Sequence, residues 1–273
     1  MREAGIRIAR HAARALLRRF GVTAPEHVRV EAFARYLGAR IVEAKLDGAG
    51  AQIVRAGAET HIVVSDRVTD PCARRFSIAH ELGHLVLRHP SRTTAELCGA
   101  RNRRTGERDY EAEANAFAGE LLMPHELVLP WCATTPVSLD IAWRIAETFT
   151  VSILAATRQF VALTPEACAA VFSANNHVVW FAKSAAFAHE LSARRPLDPQ
   201  SLAWDFFTRG TLDESARHVP VQAWVDAGVD TELVEHSHAS REYRTVLSLL
   251  WIPGSQEIGS NALADRLVAG STS

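Results

Sequence analysis

An α+β fold in several parts is predicted by three observations on the sequence. Short alternating apolar stretches follow two helical segments near the start, a capped helix then carries His80-Glu81-Leu82-Gly83-His84, and the texture turns strand-rich beyond Thr164. Pro124, Pro130 and Pro136 interrupt the helical pattern between the motif and the strand-rich region and mark a boundary. The expected division is into residues 1–135, residues 136–163 and residues 164–273.

Taken in order, residues 4–20 and 30–37 have helical apolar spacing, and residues 40–44, 52–55 and 61–64 read as short strands, the last two joined by a hairpin turn. Asp70-Pro71 supplies an N-cap and a proline at the first helical position, and the apolar pattern runs from Phe76 to a stop at His89-Pro90. The polar stretch 91–109, with Arg101, Arg103, Arg104 and Arg108 around Thr105-Gly106, is expected to be an exposed loop. A helix over 109–123 follows. Between 138 and 163 two helical periods flank Thr150-Val151-Ser152, the outline of a helix-turn-helix. Strands are expected at 168–173 and 177–181 around an Asn175-Asn176 hairpin turn, and at 218–225, 233–238 and 246–252, with helices at 199–207 and 262–268.

Composition excludes several function classes. Apolar residues are 48% and charged residues 22% of 273, the balance of an ordinary globular protein. A net charge of −1 gives no global pull towards nucleic acid or anionic membrane, although the three parts carry +4, 0 and −5. Arg144 and Arg158 are the only basic residues of the helix-turn-helix outline, too few for strong DNA binding. Cys72, Cys98, Cys132 and Cys168 are scattered without a paired motif, which fits a reducing cytosol, and each is expected to be a free thiol. The Arg-rich opening lacks a continuous apolar run and reads as a surface helix, and the absence of an 18-residue apolar stretch argues against a membrane span. A cytoplasmic location is expected.

The chemistry lies in His80, Glu81 and His84. Histidines four apart on a helix share a face, so both imidazoles can reach one cation about 2 Å from each nitrogen. Glu81, about 100° around the helix from His80, falls beside the open position, where it can act as general base towards water. A catalytic zinc takes three protein ligands, and the helix beginning near Tyr110 is the best source of the third. Glu111 shares a stripe with Asn115, whereas Glu113 shares one with Glu120 that reads as solvent-facing, so Glu111 is preferred and Glu113 is the alternative. Asn115 is expected to orient a ligand histidine. Tyr110, His89 and His125 are the nearby candidates for stabilising an oxyanion.

The runs Arg75-Phe76-Ser77-Ile78-Ala79-His80-Glu81-Leu82-Gly83-His84 and Glu111-x-x-Ala114-Asn115-x-Phe117-Ala118-x-x-Leu121-Leu122-Met123-Pro124 resemble the ImmA/IrrE family of metallopeptidases. That resemblance implies a zincin-like domain, a helix-turn-helix-like segment and a GAF-like α/β C-terminal domain able to sense a small molecule. It further implies Zn2+ held by His80, His84 and Glu111, Glu81 as base, and a helix-turn-helix repressor as substrate, cut to derepress stress or mobile-element genes. The rival expectation is a metal-containing transcriptional regulator that binds protein or DNA without hydrolysing peptide bonds.

Overall fold

The computed structural model describes residues 2–46, 48–57, 59–90, 109–134, 136–226 and 232–253. The mixed α+β chain divides into two compact units, the first comprising residues 1–128 and 146–152, the second residues 129–145 and 153–273. All six tryptophans fall in the second.

The first unit opens with α1 (Arg2–Arg19), a 3-10 turn at Pro25–His27 and α2 (Val30–Tyr36). Three strands follow, β1 (Ala39–Ala44), β2 (Ala51–Ala56) and β3 (Glu59–Ser65), in the order β1-β3-β2. β3 pairs with β1 in parallel and with β2 antiparallel, which leaves β2 at an edge. The motif helix is α3 (Pro71–Val86), started by the Asp70 carboxylate, which accepts from Ala73 N at 2.7 Å, and by Pro71 at its first position. Asp109 does the same for α4 (Tyr110–Leu122), accepting from Ala112 N at 3.0 Å.

Helix α4 is the centre of this unit. Ala114, Phe117, Ala118 and Leu121 are completely buried, and Arg14 of α1 clamps Glu120 with two hydrogen bonds of 2.9 and 3.2 Å. Gly83 lets α3 approach closely, because a Cβ there would stand 3.1 Å from Ala114 Cα and 3.2 Å from Phe117 Cβ. Glu113 and Glu120 were expected to face solvent and do not; both are buried, because each carboxylate meets a partner from another part of the chain. Pro130, expected to interrupt helical structure, lies inside α5 (His125–Thr134), where its missing N–H costs one bond to the first turn without ending the helix.

Helices α6 (Leu139–Phe149) and α7 (Ile153–Leu163) occupy the segment read as two helical periods, with Thr150 in the left-handed region (φ 51°) at the turn between them. The second unit then forms an antiparallel sheet of β4 (Cys168–Ala174), β5 (His177–Lys183), β6 (Arg217–Pro220), β7 (Glu232–Ser240) and β8 (Thr245–Trp251), in the order β5-β4-β8-β7-β6. Asn175 and Asn176, with φ of 51° and 61°, make the β4–β5 turn. The strand expected over 218–225 stops at Pro220, which has no N–H for a ladder, and the chain turns into a 3-10 helix at Val221–Ala223. Helix α8 (Leu202–Arg209), capped by Ser201 and ended by Gly210 at φ 72°, completes the unit. Its apolar core gathers Val171, Phe206, Trp224 and Leu250.

Beneath α8 lies the buried carboxylate of Glu235, accepting from Leu202 N, Ala203 N, Trp224 Nε1 and Ser237 Oγ at 2.7–3.0 Å. Burial pushes its pKa up against the pull of these hydrogen bonds. Cys132 and Cys168 are buried free thiols raised to about 12 by desolvation, and Cys72 is a half-buried one. No helix among the described residues is long and apolar enough to cross a membrane. Residues 91–108, with Cys98 and the arginine-rich part of the expected loop, and the expected helix at 262–268 lie outside the described residues.

Candidate metal centre

Helix α3 presents His80 and His84 one turn apart, and the start of α4 brings Glu111 against them. The two Nε2 atoms are 3.0 Å apart, and the Glu111 oxygens stand 3.4 Å from His80 Nε2 and 3.6 Å from His84 Nε2. Among the described residues this trio is the group whose side-chain donors converge closely enough to hold a metal ion. A tetrahedral zinc about 2.0–2.2 Å from each ligand atom would set those atoms about 3.3–3.6 Å apart. Two imidazole nitrogens and a carboxylate are also the donor types zinc prefers, so the residues present fit it.

The backs of both rings are engaged. His80 Nδ1 pairs with Asn115 Oδ1 at 2.9 Å, and His84 Nδ1 pairs with His89 Nδ1 at 2.9 Å. His89 Nε2 in turn meets Glu113 Oε2 at 3.0 Å. Burial lowers the His80 pKa, but the hydrogen bond and charge of Glu111, together with Glu81 and Asn115, outweigh it and hold the imidazole above its ordinary value.

Glu81 opens onto the same cleft of about 320 Å³, which is lined by Gly50, Ile53, Phe76 and Ser77 as well as the trio. Its Oε2 accepts a hydrogen bond from Ile53 N on the edge strand β2 at 3.2 Å. Of the other candidates, Glu113 is not in the trio, Asn115 stands behind His80, and the Tyr110 ring lies 4.7 Å from that of His89. His125 begins α5, its backbone N–H on Glu120 at 3.1 Å, and does not line the cleft. The contact between Ile53 and Glu81 and the pairing of His89 with His84 were not anticipated from the sequence. A backbone N–H leaves no mark in a motif, and His89 stands beyond the end of the motif helix.

A family model described as the IrrE N-terminal-like domain, from a peptidase family, matches residues 34–160. No curated protein matches the chain significantly. A solved Mycobacterium tuberculosis transcriptional regulator has a similar fold, with a TM-score of 0.53 at 13% identity over 92% of this chain and 77% of that one. At that identity the likeness concerns the fold alone.

Proposed function

Because residues 34–160 belong to the ImmA/IrrE family of peptidase domains, we propose that the chain is a zinc-dependent endopeptidase that cleaves a helix-turn-helix transcriptional repressor. The observation that carries the reading is the convergence of His80, His84 and Glu111 in one cleft with Glu81 beside them. His80, His84 and Glu111 would hold zinc, which supplies the Lewis acidity that makes water nucleophilic and polarises the scissile carbonyl. Glu81 takes a proton from the attacking water as its oxygen bonds to the carbonyl carbon. It returns a proton to the amide nitrogen as the C–N bond breaks, so that an acid and an amine leave. Edge strand β2 aligns the substrate as an added strand.

The remaining parts regulate this site. Residues 136–163 are read as the helix-turn-helix-like linker and residues 164–273 as a GAF-like sensor for a small molecule. Strong nucleic-acid binding is not part of the reading, since Arg144 and Arg158, the basic residues of the linker, lie 5.2 Å over the Trp131 and Trp180 rings. The test is incubation of the zinc-loaded protein with the helix-turn-helix repressor encoded beside its gene. Cleavage should be seen with wild type and fall at least 1000-fold in Glu81→Gln, which keeps its zinc. Undiminished biological activity of Glu81→Gln would overturn the peptidase and favour a binding regulator.

A further inference from the structure

We infer that His89, Glu113 and Gly5 form a positioning assembly that aims His84 at the metal, an inference that rests on the proposed zinc site. It begins with how α3 ends. Leu87 caps the helix, Arg88 adopts the left-handed region at φ 53°, and two backbone bonds close the turn: Arg88 N donates to Leu85 O at 3.3 Å and His89 N to His84 O at 3.0 Å. This left-handed ending commonly sets the second residue past the cap against the residue five before it, and the contact is usually apolar. Here the two residues are His89 and His84, and the contact is between ring nitrogens.

Proton counting then fixes the orientation of each ring. A carboxylate only accepts, so Glu113 Oε2 takes the Nε2–H of His89. With that proton on Nε2, His89 can offer a lone pair at Nδ1 to the Nδ1–H of His84. His84 therefore presents its own lone pair at Nε2, towards His80 and Glu111. On the other arm the Asn115 oxygen accepts from His80 Nδ1–H and leaves the His80 Nε2 lone pair facing the same point. The two Nε2 atoms, 3.0 Å apart, are thus placed to share one cation.

The assembly reaches α1. The side chains of His89 and Glu113 are 1% and 3% exposed, and a Cβ on Gly5 would stand 2.9 Å from Glu113 Cδ and overlap its carboxylate oxygen. Glycine inside a helix is less stable than alanine, and here it makes room for the carboxylate. Gly5 and Glu113 do not line the cleft, and His89, which borders it, acts on the metal through His84, so all three are positioning residues.

The test is zinc affinity of the full chain measured by competition with a chelator, with circular dichroism to confirm folding. His89→Ala and Glu113→Ala should each weaken binding about 10–100-fold, and Gly5→Ala should do so by displacing Glu113. Asn puts an amide oxygen close to where His carries Nδ1, so His89→Asn should restore affinity to within a few-fold of wild type. In the His89→Asn background Gly5→Ala should no longer change it, an outcome that general loosening of the fold would not produce. Equal affinities of wild type and folded His89→Ala would overturn the assembly. Absence of zinc binding by wild type, or full retention by His80→Ala, would instead overturn the metal site beneath it.

Discussion

At the scale of single residues, the buried carboxylates carry most of what the sequence concealed. Glu113 and Glu120 lie seven apart, a spacing that reads as one polar stripe, but His89 and Arg14 satisfy them inside the protein. Arg14 is 106 positions from Glu120, so local pattern could not reveal the pair. The convergence of His80 and His84 was legible from their local spacing, and that of Glu111 from the stripe it shares with Asn115. Glu235 makes a prediction at this scale. Its folded pKa is raised above the ordinary value of 4.5, so the native state holds the proton more tightly than the unfolded chain. Its contribution is fully present below that ordinary value and is lost as pH rises through the folded one. Wild-type stability in urea should therefore decline across that window, and Glu235→Gln should remove this part of the decline. The variant should also lose on the order of 1–3 kcal/mol, because a Gln amide NH2 cannot accept from all the donors that converge there. A pH profile shared by both proteins would show that Glu235 is ionised without cost.

At the scale of elements, strands and helices were legible where a cap or a turn residue punctuates them, as Asp70-Pro71 and Asn175-Asn176 do. They were misread where proline carries two meanings: Pro130 sits within α5, and Pro220 ends a strand expected to continue. Edge strand β2 supplies the prediction here. Ile53 N points away from β3 towards Glu81, so in the antiparallel register the backbone groups of Ala51, Ile53 and Arg55 are turned to the open edge. A substrate strand pairing there would take the Ile53 N–H and release Glu81 to the water. Ile53→Pro deletes that N–H at a position where the ladder with β3 does not need it. Repressor cleavage should fall at least ten-fold in kcat/KM while zinc content stays at one per chain; unchanged kcat/KM would place the substrate elsewhere.

At the scale of the whole molecule, the mixed α+β class followed from periodicity, while the division that the contacts reveal, with residues 146–152 returning to the first unit, did not. Chain order cannot show a segment folding back on an earlier one. The proposed ligands all lie in the first unit, so zinc should stabilise that unit by about 2.7 kcal/mol when free zinc is 100 times its Kd. In scanning calorimetry with and without a chelator, the transition of the first unit should shift and that of the second should stay. Movement of both together would mean that they unfold as one.

The six tryptophans, gathered in the second unit, make intrinsic emission a one-sided instrument. Excited at the red edge of the indole band, the protein glows only from the half without the metal ligands. A zinc titration followed this way should read as a flat line even while the centre fills. If the line bends, the change in light is itself a signal carried from one unit to the other.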